Sequence, residues 1–324
     1  MTDDVERYDL IIIGAAAAGC AASVYASRRQ LKFAVVTKDF GGEVALSGEV
    51  ENWPGIIHTT GFELAQEFKK HMMSYKPEVF EGYGVENIKQ SNGVHTVHAK
   101  NASGEEKIFQ TKAVIIGSGI HPKELGIPGE KELKGSGVTY CTVCDGPLYK
   151  GKVTATIGAG NAAVESALQM SDLAEKVYLI TKYKDEPETQ GGFPRAERVL
   201  VEKIKARKNI QIIYNADTTN INGEPIVHSL TYKDQTTGES RDIDVQGVMV
   251  HIGNIPNSQF ATCVEKSPTG EILVNERCET SCNGVFAAGD VTTVPYKQIV
   301  IAAGQGVVAA LTAIDYINRW KPTT

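Results

Sequence analysis

The chain has 324 residues, enough for two domains of ordinary size, each with its own core. Its 33 basic and 39 acidic residues give a formal net charge of −6, which offers no general attraction to nucleic acid or anionic lipid. A hydrophobic content of 42% is typical of a globular protein, and we see no run of roughly 18 apolar residues that would span a membrane.

The first predicted element begins close to the start of the chain. Residues 1–6 are mostly polar and acidic and lead straight into an apolar strand at residues 9–13. They lack the apolar segment of a signal peptide. We therefore expect a cytoplasmic protein, in which most thiols stay reduced.

That strand opens a glycine turn. The turn is Gly14-Ala15-Ala16-Ala17-Ala18-Gly19; an Ala-rich helix follows to about residue 29, and a second strand covers residues 33–37. Ala16 stands at the middle glycine position of a dinucleotide-binding fingerprint. Because its methyl group lies near the expected phosphate path, we expect the turn to be slightly wider or shifted.

A redox motif follows the third strand, which we predict at residues 112–117. After Ser118-Gly119 the chain is expected to cross into a second domain, and that domain carries Cys141-Thr142-Val143-Cys144. Without a secretory signal, a Cys-x-x-Cys predicts a thiol–disulfide centre rather than a structural crosslink. A carboxylate, Asp145, comes directly after it.

The strand–turn–helix–strand plan then recurs. A strand at residues 153–157 precedes Gly158-Ala159-Gly160-Asn161-Ala162-Ala163, a helix to about residue 173 and a strand at residues 177–181. The first glycine and the closing threonine are 23 positions apart in both copies. Two such units are strong evidence for two dinucleotide-binding domains, because each helix N-terminus suits a pyrophosphate. A redox motif beside them indicates a pyridine nucleotide–disulfide oxidoreductase.

The rest of the chain completes both domains. Further apolar runs and the last helix are predicted at residues 211–214, 229–232, 247–252, 272–274, 284–288 and 301–317, with a polar loop at 182–194 and a return crossing near 251–256. The fold class is α/β, with two Rossmann-like three-layer dinucleotide-binding domains, the second inserted into the first. Residues 1–118 and 250–324 form one domain and residues 119–249 the other.

The other cysteines raise one alternative. Cys278 and Cys282 stand four apart, so a zinc site shared with the Cys-x-x-Cys pair must be considered. That segment leads into an apolar strand instead of a zinc knuckle. We therefore predict no metal, and an apolar packing role for Cys20, Cys263, Cys278 and Cys282.

Longer motifs carry a family resemblance. They are Gly41-Gly42-Glu43, Val50-Glu51-Asn52-Trp53-Pro54-Gly55, Val138 to Leu148 and Val285 to Gln298. With them the chain resembles the low-molecular-weight thioredoxin reductases over essentially its full length. It is also similar to the flavoprotein portion of the F subunit of alkyl hydroperoxide reductase.

The resemblance implies that the first domain binds FAD and the inserted one NADPH or NADH. The residues expected at FAD are Gly14, Ala16, Gly19, Thr37, Gly41, Gly42, Glu43, Asn52, Gly289, Asp290, Lys297, Gln298 and Ile299. Those expected at the nicotinamide nucleotide are Gly158, Gly160, Asn161, Ala162, Lys182 and Arg195. A carboxylate suits the hydroxyl-rich ribityl chain because it accepts strong hydrogen bonds. Plain surface roles are the alternatives for Asp290 and Lys297.

The resemblance also implies an electron route. FAD would pass electrons to a Cys141–Cys144 disulfide, with Cys144 facing the flavin and Cys141 attacking the disulfide of a protein substrate. Asp145 would act as acid and later as base, with a simple turn residue as the alternative. Domain rotation would use hinges near Gly119 and Gly253.

The electron donor is left open. Relatives that use NADPH carry His-Arg-Arg after the second strand of the inserted domain, where this chain has Thr181-Lys182-Tyr183-Lys184 and a longer loop before Arg195. Lysines could bind a 2′-phosphate only as point charges, and acidic residues nearby oppose it. NADPH, NADH and a donor such as ferredoxin or a deazaflavin are all candidates.

The expected acceptor is a separate thioredoxin-like or glutaredoxin-like protein. We expect no redox segment before residue 9, and no cysteine follows Cys282, so the electrons would leave from Cys141 and Cys144 to another molecule. The surface around Tyr140, Pro147 and Tyr149 is a candidate docking site for that molecule, although both tyrosines equally suit the core. A peroxiredoxin-reducing protein is also conceivable as the partner, and the family implies a homodimer. A flavin-dependent dithiol oxidase and a non-catalytic nucleotide- or zinc-binding scaffold are the competing functions.

Overall fold

The fold is taken from a computed structural model, which describes residues 6–47 and 49–321, with only the backbone at Glu6, Glu49 and Cys144. The chain divides into two compact units. The first unit is Met1–His121 with Ile255–Thr324, and the second is Pro122–Asn254. The crossings thus lie a few residues later than the positions 118 and 249 expected from the sequence.

Strands and helices alternate around the two glycine turns, and runs of consecutive strands make up much of the rest of the chain. The strands are β1 (Glu6–Ala15), β2 (Phe33–Phe40), β3 (Glu49–Val50), β4 (Thr59–Thr60), β5 (Glu78–Glu81), β6 (Tyr83–Ser91), β7 (Val94–Asn101), β8 (Glu106–Ile116), β9 (Ile120–Pro122), β10 (Val138–Thr139), β11 (Val153–Ile157), β12 (Lys176–Ile180), β13 (Ile210–Ile213), β14 (Ala216–Gly223), β15 (Val227–Asp234), β16 (Ser240–Asp244), β17 (Gly247–Val250), β18 (Asn254–Pro256) and β19 (Val285–Ala287). The helices are α1 (Ala17–Arg28), α2 (Gly61–Ser74), α3 (Thr142–Asp145), α4 (Asn161–Leu173), α5 (Arg198–Ala206) and α6 (Ile299–Arg319).

A seven-stranded mixed sheet forms the centre of the first unit. Its order is β5-β2-β1-β8-β7-β6, and β19 also pairs with β8. The parallel part of the sheet consists of β5, β2, β1, β8 and β19. The antiparallel part is formed by β7, which pairs with β8, and by β6, which pairs with β7. Strand β8 is long enough to pair with both the antiparallel and the parallel part of the sheet, because its first half pairs with β7 and its last three residues pair with β19.

The apolar run of β1 contributes to two core layers. Successive side chains of a strand point to opposite faces, so Ile11 and Ile13 join one cluster with Phe109, and Leu10 and Ile12 join the other, beside α1 and α6. A strand that is buried on both faces appears as a continuous apolar run. Both faces of this sheet are therefore covered.

Helix α6 packs tightly on α1 through small residues. A Cβ on Gly306 would lie 2.2 Å from the carbonyl oxygen of Ala18, and Ala309, Ala310 and Ala313 are fully buried. Within the described residues, α6 is also the one helix long and apolar enough to pass as a membrane span by length and composition. Its apolar residues are interrupted by Gln305, Thr312 and Asp315, so α6 meets the limit by mean hydropathy and not as an unbroken apolar run.

The second unit repeats the layered plan. Strands β10-β17-β11-β12-β13 form a fully parallel sheet, and β14-β15-β16 form a separate antiparallel one. On β17, Val248 and Val250 pack with Leu230 of β15, whereas Met249 packs with Val164 of α4. The predicted α/β fold class is confirmed, with a sheet and a glycine turn before a helix in each unit.

Some elements were not predicted from apolar patterns, namely α2, the β6–β7 hairpin and α5. Helix α2 carries a capping box, in which Glu63 N donates to Thr60 Oγ1 at 3.2 Å and Thr60 N donates to Glu63 Oε2 at 3.0 Å. The Thr-x-x-Glu spacing was the available signal. At the predicted run 272–274, Ile272 forms only isolated bridges.

A buried histidine makes the first unit sensitive to acid. His95 on β7 is fully buried, and within the described residues neither ring nitrogen makes a well-directed hydrogen bond. Burial lowers the pKa of His95 to about 4, and the nearby Asn283 carbonyl offsets only part of that effect. In an unfolded chain, histidine titrates near pH 6.5, roughly.

We expect the free energy of unfolding to fall by up to about 3 kcal/mol between pH 6.5 and pH 4, because the unfolded chain takes up a proton that folded His95 refuses. Above pH 6.5 both states hold neutral imidazole and His95 contributes no pH dependence. Denaturant unfolding across this range should show a shallower loss for His95→Phe than for wild type. Equal slopes would contradict the assignment.

Candidate functional site

A cleft of about 920 Å³ lies in the first unit, at the carboxyl ends of its parallel strands. This edge of an α/β sheet is where ligands bind, and the volume is near the upper end of the roughly 300–1,000 Å³ usual for cofactor sites. Of the residues expected at FAD, the cleft is lined by Gly14, Ala16, Thr37, Gly42, Glu43, Gly289, Asp290, Lys297 and Ile299.

The turn between β1 and α1 presents backbone to this cleft. Gly14 has φ +99°, and a Cβ there would lie 2.4 Å from the carbonyl oxygen of Gly117. Ala16 caps α1 without a side-chain hydrogen bond, which leaves the first backbone N–H groups available to an anion. Gly19 does not line the cleft, and its role is close packing, because a Cβ would lie 1.8 Å from Gly14 O.

The turn before α4 has the same construction. Gly158 has φ +147°, and a Cβ there would lie 2.1 Å from the carbonyl oxygen of His251. Gly160 caps α4 in the extended conformation that Ala16 adopts before α1, and its nearest neighbour for an added Cβ is 3.8 Å away. A methyl group is therefore tolerated at this position. The expected widening of the first turn stays a prediction.

Asp290 is the most informative side chain of the cleft. Its Oδ1 is buried and has no hydrogen-bond partner in the described part of the chain. Burial raises the pKa of Asp290, and Lys297 opposes that effect. The loop is held in place because Gly289 N donates to Gln305 Oε1 of α6 at 2.8 Å. A buried carboxylate oxygen without a partner fits the hydroxyl chain of a flavin dinucleotide.

Lys297 lines the cleft, but its ammonium is already engaged. Its Nζ donates to Glu271 Oε1 at 2.8 Å and to the Thr292 carbonyl at 2.6 Å. The pair is half-buried, so Lys297 is neither a freely solvated amine nor an uncommitted donor to a ligand. Its position beside Asp290 suggests that it tunes the charge of this part of the cleft.

Three other residues expected at FAD lie outside the lining of the cleft. Asn52 Nδ2 donates to Gln298 Oε1 at 3.2 Å, so these two side chains contact each other. Gly41 has φ +89° and packs between Ala45 and Ala65, where a Cβ would come within 2.7 Å and 2.8 Å of their methyl carbons. Gly41 thus shapes the turn that presents Gly42 and Glu43.

Sequence reasoning missed a polar group of the cleft wall after β18. Asn257 Nδ2 donates to the Ser118 carbonyl at 2.8 Å, and Ser118 Oγ donates to the Asn257 carbonyl at 2.6 Å. His121 Nδ1 is hydrogen-bonded to Asn257 Oδ1 at 2.6 Å. The only signal for Asn257 in the sequence was its position directly after Ile255-Pro256, where the return crossing was predicted.

The redox motif lies in the second unit. Cys141 is disulfide-bonded, and it precedes α3, whose backbone includes Cys144. The Cys144 side chain lies outside the described residues, so its pairing with Cys141 stays a prediction. Thr139 Oγ1 donates to Asp145 Oδ2 and accepts from Cys141 N at 3.1 Å. Thr139 therefore ties the Asp145 carboxylate to the loop that carries Cys141.

A second polar group anchors the start of α3. Thr142 Oγ1 lies 2.6 Å from Ser166 Oγ and 2.7 Å from His251 Nε2. Burial lowers the pKa of His251 to about 4, so its imidazole is neutral near pH 7. His251 follows β17, and its carbonyl faces Gly158, so one residue contacts both the redox helix and the nucleotide turn. No spacing in the sequence pointed to this group.

Of the two tyrosines near the motif, Tyr149 belongs to the core and Tyr140 is half-buried against it. Tyr149 is buried, with its ring against the backbone of Gly247, and Tyr140 OH donates to Glu130 Oε1 at 2.8 Å. The apolar side chains that face solvent beside the motif are instead Val143, 58% exposed, and Leu148, 67% exposed. These two are better docking candidates than the tyrosines.

The loop after β12 brings Arg195 to the second turn. Arg195 forms an isolated backbone bridge with Gly160, and Glu197 N donates to Asn161 Oδ1 at 2.7 Å. Lys182 and Arg195 are exposed, and no ion pair joins either of them to a described residue. Two of the three acids in the loop have a lysine partner, since Asp185 faces Lys205 at 3.2 Å and Glu186 faces Lys184 at 3.9 Å. The third, Glu188, is exposed.

Comparison with known proteins agrees with this geometry. A family model described as pyridine nucleotide-disulphide oxidoreductase matches residues 8–306. The F subunit of alkyl hydroperoxide reductase from Escherichia coli (strain K12) is 37% identical over 321 residues, which cover 98% of this chain and 59% of that protein. A protein named NADH dehydrogenase from Bacillus subtilis (strain 168) is 35% identical over 317 residues, 98% of this chain and 60% of that one.

Among solved structures, that of T. acidophilum thioredoxin reductase is 38% identical, with a TM-score of 0.72, and covers 96% of this chain and 99% of that one. By contrast, the chain spans about three fifths of the length of the two curated relatives named above. The resemblance inferred from its motifs is confirmed.

Proposed function

Because the chain belongs to the pyridine nucleotide-disulphide oxidoreductase family, we propose that it is an FAD-dependent reductase of protein disulfides. Its electrons would come from a nicotinamide nucleotide and go to a separate protein of thioredoxin or glutaredoxin type. The observation that carries this proposal is the disulfide of Cys141, located before α3 in the unit that also holds the second glycine turn.

FAD is proposed to occupy the cleft of the first unit. The N-terminus of α1 at Gly14 and Ala16 would hold the pyrophosphate, and the unpartnered oxygen of Asp290 would accept from the ribityl chain. When bound, FAD would take two electrons from the donor and supply them to the disulfide of Cys141. The start of α6 at Ile299 would lie beside the ring system.

The chain's own residues would then carry out thiol–disulfide exchange. The reduced thiolate of Cys141 attacks one sulfur of the substrate disulfide, and the other sulfur leaves as a thiolate. Asp145, held by Thr139, would take the proton that the Cys141 thiol releases when it ionises and then supply it to that leaving thiolate. Attack by Cys144 on the mixed disulfide then releases the substrate dithiol and restores the Cys141–Cys144 bond.

The acceptor protein is proposed to dock on Val143 and Leu148. Exposed apolar side chains beside a reactive disulfide suit the apolar rim that surrounds an active disulfide in a partner. Similarity to a component of alkyl hydroperoxide reductase favours a partner that in turn reduces a peroxidase. The homodimer and the cytoplasmic location implied by the family stay predictions.

NADPH is the donor that we propose first. Arg195 lies at the second turn and Lys182 follows β12; both are exposed and neither has an ionic partner among the residues described, whereas the nearby acids Asp185 and Glu186 are paired. Two available cations suit a 2′-phosphate. NADH is the second candidate, since one relative is named NADH dehydrogenase and no arginine pair follows β12 here.

Under anaerobic conditions, NADPH should bleach the flavin absorbance of the purified protein. Lys182→Ala and Arg195→Ala should each raise the NADPH concentration for half-maximal bleaching about tenfold, because each removes one charge-assisted contact of about 1.5 kcal/mol. Lys184→Ala is the matched control, since Lys184 already faces Glu186 at 3.9 Å. None of the three changes should affect reduction by NADH.

Other outcomes would redirect the assignment. Bleaching by NADH alone would make NADH the donor. Bleaching by neither nucleotide, but by reduced ferredoxin or a deazaflavin, would replace the nicotinamide donor while keeping the disulfide chemistry. Hydrogen peroxide release that depends on an added dithiol would favour a dithiol oxidase, and a colourless protein that contains zinc would favour a scaffold.

A further inference from the structure

Two cysteines of the first unit contact each other outside the cleft and the redox motif. The thiols of Cys263 and Cys282 interact with each other; Cys282 belongs to the apolar cluster on one face of the large sheet, and Cys263 packs against that cluster. A backbone contact holds their segments together, because Glu265 N donates to Ser281 Oγ at 2.8 Å. This pair is far apart in the sequence but adjacent in the fold, and the proposed function does not use it.

The two thiols have unequal surroundings. Cys282 is 6% exposed, and its Sγ donates to Gln90 Oε1 at 3.6 Å. Cys263 is half-buried, so a small molecule can reach it, and Lys266 contributes a nearby positive charge. Contact with Cys282 and the charge of Lys266 lower the pKa of Cys263, whereas contact with Cys263 and burial raise the pKa of Cys282.

These differences assign complementary roles. An accessible thiolate is the nucleophile towards oxidants, and a neighbouring protonated thiol can resolve the oxidised product. The other two free cysteines lack both features, since Cys20 and Cys278 are buried and burial raises their pKa values to about 12 and about 11. Among the described residues, no group of three metal ligands exists that would make the pair a metal site.

We propose that Cys263 and Cys282 form a second redox site, an oxidisable dithiol that reacts with small hydroperoxides and closes into a disulfide. Cys263 Sγ attacks the terminal oxygen of the peroxide, the O–O bond breaks, and the alcohol or water leaves with a proton. Cys282 Sγ then attacks the sulfenic acid of Cys263, the S–S bond forms, the S–O bond breaks and water leaves. Two electrons pass from the two thiols to the peroxide.

The disulfide would tie together two segments that lead to the cleft. Cys263 follows Phe260, which lines the cleft, and Cys282 precedes β19, after which the chain reaches Gly289 and Asp290. Oxidation would therefore covalently join the segment after β18 to the segment before β19. A reductant such as dithiothreitol would reverse it.

The test uses the full chain with Cys141→Ser and Cys144→Ser, so that the proposed catalytic disulfide takes no part. This protein retains four thiols. Treatment with hydrogen peroxide, acid quenching and thiol titration in denaturant should lower the count from four to two. Peptide mass mapping should find one new disulfide between Cys263 and Cys282, and dithiothreitol should restore the count.

Further variants assign the two roles and exclude a folding artefact. Cys263→Ser should slow thiol loss at least tenfold, whereas Cys282→Ser should leave Cys263 as a trapped sulfenic or sulfinic acid without a disulfide. Cys278→Ser is the matched control and should oxidise at the rate of its parent. A count that stays at four, a disulfide between other cysteines, or overoxidised Cys263 beside a free Cys282 thiol would overturn the proposal. Circular dichroism checks that each variant is folded.

Discussion

Replacing Cys141 by serine should abolish turnover of protein disulfides while the protein still binds FAD and its flavin is still reduced by the donor. A serine hydroxyl at this position is not ionised near neutral pH and cannot form the mixed disulfide. We expect the rate of disulfide reduction to fall on the order of 10³-fold or more, as when a catalytic nucleophile is removed. Flavin bleaching by the donor and reduction of a thioredoxin-type or glutaredoxin-type protein would be measured separately.

Cys20→Ala provides the matched control for this experiment. Cys20 is a buried thiol whose Sγ donates to the Ala15 carbonyl at 3.5 Å, and burial raises its pKa to about 12, so it should take no part in exchange. Full disulfide turnover by Cys141→Ser would end the proposed electron route. Turnover lost together with FAD would point instead to a folding defect.

Changing Gly14 to alanine should remove FAD from the protein and destabilise the first unit. The added Cβ would lie 2.4 Å from the carbonyl oxygen of Gly117, and Gly14 has φ +99°. The left-handed conformation alone costs a non-glycine residue about 1–3 kcal/mol, and the clash with backbone adds to that cost. FAD content after purification and the midpoint of thermal unfolding measure the two effects.

The same glycine-to-alanine change in the second glycine turn provides the controls. Gly160→Ala adds a methyl group whose nearest neighbour is 3.8 Å away, at the cap position where the first turn already has Ala16. We expect it to leave stability within about 0.5 kcal/mol and FAD unchanged. Gly158→Ala should retain FAD but lose reduction by the nicotinamide donor, because its Cβ would lie 2.1 Å from the His251 carbonyl. Normal FAD content in Gly14→Ala would contradict the proposed cleft.

Local sequence was enough to predict the repeated units and the redox motif. An apolar run that ends in glycine and leads into a helix is a pattern of neighbouring residues, and β11 and α4 end where that pattern predicts, at Ile157 and Leu173. The Cys-x-x-Cys spacing is likewise local, and Cys141 is disulfide-bonded in the structure. Weaker local patterns were missed, as at α2, whose capping box at Thr60 was present but unused.

The chemical state of each site depended on contacts between distant residues. Lys297 is engaged by Glu271, the Asp290 loop is held by Gln305, and Tyr149 is buried against Gly247. None of these partners has a characteristic spacing along the chain. The proximity of Cys263 and Cys282 is of the same kind.

The sequence by itself thus determined the fold class, the two glycine turns and the redox motif, since each depends on neighbouring residues and on backbone preferences. Only the tertiary structure decided which side chains line the cleft, which carboxylate oxygen is left without a partner in the described chain, and which thiols meet. Burial, charge pairing and hydrogen bonding are properties of neighbours in space, and folding brings those neighbours together from distant positions.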